Sequence, residues 1–145
     1  RMIASGLADG AVLSCGGARP RDASLANGWF MPPTVFTHVT QSMRIANEEI
    51  FGPVLCILPW TDEAAMLADV NVVDYGLSAS IFTRDLATAH RCASRIEAGY
   101  IWINTTGRHF LGAPFGGYKQ SGQGREECFD ELVSYTQQKN VHIAL

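Results

Sequence analysis

Six glycines between Asn104 and Gly124 (Gly107, Gly112, Gly116, Gly117, Gly122 and Gly124) invite comparison with the loops that cradle phosphates. The spacing does not fit. Gly117-Tyr118-Lys119-Gln120-Ser121 lacks the adjacent Gly-Lys-Ser/Thr of a P-loop, and Gly122-Gln123-Gly124 is followed by Glu127 where a dinucleotide fingerprint needs its third glycine. These glycines instead mark backbone that passes close to other backbone or takes positive φ. Hydrolase signatures are missing too, with neither GxSxG nor HExxH present. His38, His90, His109 and His142 have no metal-ligand spacing, so hydrogen-bonded structural histidines are the default. His109 stays open as a site residue because it follows Arg108 in a long loop after a strand, and in open α/β sheets ligands bind at that edge. Cys15, Cys56, Cys92 and Cys128 form no CxxC pair, which argues against a zinc knuckle or thioredoxin-type site. Glu48-Glu49-Ile50-Phe51-Gly52-Pro53-Val54 reads most simply as a charged helix end entering a strand, with Phe51 in the core.

The elements that would position these groups follow an α/β grammar. A helix over Met2–Ala8 precedes a short apolar run, Ala11 to Cys15, and Pro33 to Thr37 clusters β-branched and aromatic residues as a strand does. Val54 to Trp60 is apolar on both parities, which predicts a strand buried on both faces. Thr61 is the expected cap of a helix over Asp62–Asn71. Leu77 to Thr83 is the next strand, and Asp85 is placed to cap a helix over Leu86–Ala98 that ends at Gly99 in a left-handed conformation. Tyr100 to Ile103 is again a strand, a short helix is expected over Arg125–Val133, and Ser134 to Ala144 alternates near its end like a half-exposed strand. Strands alternating with helices across short connections predict a mainly parallel sheet with flanking helices.

The chain has 145 residues and a net charge of −3, a length that fits one domain. Charged residues make up 17%, against about 25% in ordinary domains. That deficit predicts surface covered by another chain or by the rest of a longer one. Lys and Arg form no clusters, which excludes a nucleic-acid surface. No uncharged run has the composition of a membrane span, and no membrane partner is expected. Cys56 and Cys92 lie in apolar segments, as buried reduced thiols do in a cytoplasmic compartment. The start at Arg1, inside a helix tail, reads as a cut from something larger.

Three blocks, in order, carry a family resemblance: Pro33-Thr34-Val35-Phe36, the segment Glu48 to Pro53, and Pro114-Phe115-Gly116-Gly117-Tyr118-Lys119-Gln120-Ser121-Gly122-Gln123-Gly124-Arg125-Glu126. Tyr75-Gly76-Leu77 and Trp102-Ile103-Asn104 add to them. The chain resembles the C-terminal part of NAD(P)-dependent aldehyde dehydrogenases, in the betaine-aldehyde-dehydrogenase-like branch. The resemblance implies a catalytic-domain segment over residues 1–133 and an oligomerisation strand over 134–145, within a homo-oligomer (dimer or tetramer). It implies NAD or NADP as cofactor and an aldehyde as substrate, with the nucleophilic cysteine and the general base lying outside this chain. Glu49 is similar to the carboxylate that binds both nicotinamide-ribose hydroxyls, Phe51 to the aromatic packed against them, and Leu77 to a residue near the carboxamide. Arg108, His109 and Phe115 correspond to the aldehyde tunnel wall. Lys119 and Gly122 correspond to carbonyl ligands of a potassium ion, and Glu126 to a proton-relay carboxylate. Thr106-Gly107-Arg108-His109 is neutral to basic, which leans toward a neutral or anionic aldehyde. A rival of another class is a non-catalytic interaction module that keeps the fold.

Overall fold

A computed structural model describes residues 1–145, which divide into two compact units, 1–69 and 70–145. In the first unit, helix α1 (Met2–Ala8) leads into strand β1 (Val12–Cys15), which pairs antiparallel with β2 (Thr34–Thr37); β2 in turn pairs parallel with β3 (Val54–Cys56). Phe36, fully enclosed, centres a core with Ala11, Val39, Met43 and Ile45. Met43 and Ile45 flank the start of a short helix, α2 (Arg44–Asn47), in a stretch that sequence patterning leaves unassigned. Thr34 is buried without penalty, because its hydroxyl accepts from Gly17 N–H at 2.9 Å and donates to the Pro32 carbonyl at 3.1 Å.

The strand expected over Val54–Trp60 stops at Cys56 and is covered on one face only. Val54 and Cys56 pack toward the core, whereas Leu55, Ile57 and Trp60 are exposed. Alternation turns Leu55 and Ile57 away from the core, and nothing in the unit covers that side; Trp60 lies beyond the end of the strand.

Helix α3 (Glu63–Asn71) spans the boundary between the units. Its cap is Asp62, whose carboxylate accepts from Ala65 N–H at 2.7 Å, and not the expected Thr61. The second unit holds β4 (Tyr75–Gly76), β5 (Ser78–Ile81), α4 (Leu86–Arg95), β6 (Tyr100–Ile103), β7 (Tyr118–Lys119) and α5 (Phe129–Ser134). The pair β5–β6 is parallel and β4–β7 antiparallel. The class is therefore α/β as expected. The expected single, mainly parallel sheet is instead three small ones, in which β2–β3 and β5–β6 supply the parallel pairing.

Asp85 caps α4 as its position predicts, accepting from the backbone of Ala87 and Thr88 and from the Thr88 hydroxyl. Gly99 does not end the helix in a left-handed conformation, because α4 stops at Arg95 and Ile96 is extended. A Cβ at Gly99 would lie 1.8 Å from the Gly116 carbonyl, so close backbone approach requires the glycine. The bonds to Thr88 hold the Asp85 carboxyl below its ordinary value of 3.8. A carboxyl whose pKa falls on folding stabilises the fold above its unfolded pKa, and that contribution disappears as pH drops through the lower folded value. Asp85→Ala is therefore expected to speed amide exchange in the first turn of α4 at neutral pH, with the difference from wild type vanishing in strong acid; hydrogen exchange measured against pH checks this.

No helix is long and apolar enough to cross a membrane. The terminal strand expected over Ser134–Ala144 does not form: α5 runs to Ser134, and residues 137–145 have no regular structure. Tyr135, Val141, Ile143 and Leu145 are exposed. The helix expected from Arg125 begins only at Phe129, because Glu126 is held in a backbone bridge with Phe115 and Glu127 takes a left-handed φ of 62°. The total exposed area is 10817 Å². A folded monomer of this mass exposes about 7,300 Å², and two separately folded halves about 8,800 Å².

Candidate functional site

In the first unit the site residues follow α2. Arg44 grips Glu48 one turn on, through two hydrogen bonds of 2.6 Å. These bonds, and then the opposite charges, raise the guanidinium pKa and lower that of the Glu48 carboxyl. The adjacent Glu49 is exposed and makes no hydrogen bond or ion pair within the chain. Of two neighbouring carboxylates, then, only one has its lone pairs free for a ligand. Phe51 is 92% exposed, so it is not the core residue that its apolar surroundings imply. Its φ of 51° places an aromatic residue in the left-handed region, a strained state that persists where surrounding structure enforces it. That enforcement is close by: Thr34 N–H bonds the Pro53 carbonyl at 2.8 Å, and Val54 N–H bonds that of Gly52 at 2.8 Å.

In the second unit, one open cleft is lined by Leu77, Phe115, Gly122 and Glu126, together with Arg125 and Tyr135. Four residues singled out from the sequence thus meet there. Phe115 and Glu126 are joined by reciprocal backbone hydrogen bonds of 3.0 and 2.7 Å, which leave the Glu126 carboxylate exposed. Gly122 takes a φ of 110° that side chains resist.

Lys119 is employed differently. Its ammonium donates to the carbonyls of Asn71 and Val73 and pairs with Glu97 at 2.7 Å. It therefore ties the end of α3 to the chain after α4. No group of His, Cys, Asp and Glu side chains is arranged to hold a metal. A potassium site at Lys119 and Gly122 would have to use backbone oxygens, and Lys119, like Gly122, is left-handed (φ 52°).

Arg108 and His109 are adjacent in sequence but differ in environment. The Arg108 side chain is exposed, and its carbonyl accepts from Trp102 Nε1 at 2.6 Å. The His109 ring packs among Phe115, Tyr100 and Trp102, with centroids 4.5, 5.8 and 5.8 Å away, and its Nδ1 meets Glu127 Oε1 at 2.8 Å. Sequence reasoning missed Glu127 altogether, since nothing in its spacing links it to His109. The ring cluster had a signal, because Tyr100 and Trp102 are two apart on a strand and so share a face.

The cysteines are all unpaired. Cys92 is buried as expected, while Cys56 is only partly buried and Cys15 is exposed. Burial raises the Cys56 thiol pKa, and its Sγ lies 3.5 Å from the Ile45 carbonyl; neither activates a nucleophile.

Comparison with known proteins gives a consistent result. The model of the aldehyde dehydrogenase family matches residues 1–141. Aldehyde dehydrogenase tropH of Talaromyces stipitatus is 49% identical over 99% of this chain and 28% of its own length. Betaine aldehyde dehydrogenase 1 of Rhizobium meliloti is 48% identical, again over 99% of this chain and 29% of its own. Among solved structures, betaine aldehyde dehydrogenase from Staphylococcus aureus in complex with NAD+ superposes with a TM-score of 0.88 at 40% identity, covering 92% of this chain and 26% of that one. The chain spans just over a quarter of the length of the curated relatives it matches.

Proposed function

We propose a function from a plain premise: this chain belongs to the aldehyde dehydrogenase family. In this reading it is the C-terminal part of an oxidoreductase that converts an aldehyde to a carboxylic acid through a cysteine thiohemiacetal, the cysteine lying outside residues 1–145. NAD+ or NADP+ supplies the hydride acceptor. Glu49 holds the two ribose hydroxyls, Phe51 packs against the ribose and nicotinamide, and Leu77 borders the carboxamide. The observation that carries this assignment is the division of labour between the two glutamates, Glu48 spent on Arg44 and Glu49 uncommitted.

Phe115, with His109 and Arg108 in the preceding loop, forms one wall of the aldehyde tunnel. An exposed Arg108 that makes no ion pair within the chain favours neutral or anionic aldehydes over cationic ones. Glu126, exposed on the cleft, relays protons, and the carbonyls of Lys119 and Gly122 bind potassium. Residues 1–133 belong to the catalytic domain, and residues 134–145 pair with a neighbouring subunit of a homo-oligomer. An exposed area well above that of two folded halves supports a segment completed by further protein. Four unpaired cysteines fit a reducing, cytoplasmic setting.

The test compares the purified 145-residue chain with the full-length enzyme on a panel of anionic and neutral aldehydes with NAD+ and with NADP+. The full-length enzyme is expected to form reduced cofactor and the chain alone none, because positioning groups cannot replace the nucleophile. Turnover by the isolated chain, or none by the full-length enzyme, overturns the reading.

A further inference from the structure

Glu127 combines three features that an ordinary loop residue does not need. Its backbone is left-handed at φ 62°, which non-glycine residues adopt at a cost. That backbone is pinned at both ends: its N–H donates to Glu131 Oε2 at 2.7 Å, and its carbonyl accepts from Gly112 N–H at 2.7 Å. Its carboxylate reaches His109 with Oε1, while Oε2 is buried with no partner. A buried acceptor left unmade is expensive, and it persists where something else is gained. An ionised carboxylate can only accept, so His109 donates through Nδ1–H and its ring orientation is fixed. That ring stands against Phe115 and Tyr100. The turn between Trp102 and Gly112 is thereby tied at three points: by Trp102 Nε1 to the Arg108 carbonyl, by His109 to Glu127, and by Gly112 to the Glu127 carbonyl. Between these ties stand Phe110 and Leu111, 63% and 94% exposed.

We propose that Glu127 is a specificity-determining positioning residue: acting through His109, it fixes the loop 104–113 so that Phe110 and Leu111 present a rigid apolar rim, which selects bulky apolar aldehydes over small ones. The inference rests on the tunnel-wall role of this loop. An exposed Leu and Phe discriminate by shape only if the backbone beneath them does not yield. Asn104, bonded to Thr83 through its side-chain amide, holds the start of the loop, and the Glu127–His109 contact is the side-chain tie next to Phe110 and Leu111 that a single substitution removes without touching the rings.

The experiment uses the full-length enzyme. Glu127→Leu, Glu127→Gln, His109→Phe and the double variant Glu127→Leu/His109→Phe are compared on benzaldehyde and acetaldehyde, with melting temperature measured alongside. Glu127→Leu is expected to raise KM for benzaldehyde about five- to tenfold, less than the roughly ten- to hundredfold of a whole charge-assisted hydrogen bond because the loss reaches the rim through the loop. KM for acetaldehyde and for the cofactor should stay within about twofold. Glu127→Gln, which keeps an oxygen acceptor, should restore most of the preference. The double variant should be no worse than Glu127→Leu alone, because residues acting through one contact are not additive. Equal losses on both aldehydes, additive effects in the double variant, or a loss that follows melting temperature alone would overturn the proposal. A wild-type enzyme inactive on every aldehyde would instead fail the functional assignment, so the two failures are separable.

Discussion

Replacing Glu49 with alanine in the full-length enzyme is expected to lower kcat about ten- to a hundredfold, while leaving the KM for aldehyde nearly unchanged. A hydrogen bond to a charged acceptor contributes about 1.5–3 kcal/mol, and each 1.36 kcal/mol of barrier is a factor of about ten in rate. The proposed clamp holds the ribose, and so the nicotinamide, at the distance hydride transfer requires; loosening it acts on the chemical step. The neighbouring residue provides the control. Glu48 is committed to Arg44 on the surface, so Glu48→Ala should alter kcat little, exposed pairs of this kind contributing little. Rapid-mixing measurement of the hydride-transfer burst checks both. Glu49→Ala with unchanged kcat and unchanged cofactor affinity would refute the clamp.

The second large effect concerns assembly. Val141, Ile143 and Leu145 project from residues 137–145, which form no regular structure within the chain. An extended apolar segment in that state is an aggregation hazard unless a sheet edge receives it. Deleting residues 134–145 from the full-length enzyme is accordingly expected to shift it to smaller species in light scattering, with loss of soluble yield. An unchanged oligomer after the deletion would show that assembly is built elsewhere.

The alternation of strands and helices in the sequence was enough for the α/β class, and element positions such as β6 and the Asp85 cap followed from local rules. Where expectation and structure part, the missing information is tertiary. Val54 to Trp60 is apolar on both parities, but only an outside layer can make its second face buried, and the sequence carries no mark of whether that layer belongs to the same 145 residues. The Ser134–Ala144 alternation is a preference awaiting an edge, so it stays irregular without one. Glu49 and Phe51 became candidates through the family blocks, since Phe51 alone looks like any core aromatic. Glu127 could not be found at all: its contact with His109 spans 18 residues of loop and has no periodicity.

The left-handed backbone of Phe51 sets two demands on one position against each other. Non-glycine residues in that region cost about 1–3 kcal/mol, and glycine would relieve this. Glycine would also remove the ring that the proposed cofactor clamp uses. A variant library screened for heat resistance alone would therefore drift away from phenylalanine here, and one screened for turnover would hold it. An aromatic retained at residue 51 in the turnover screen and lost in the heat screen would mark chemistry kept at the expense of stability.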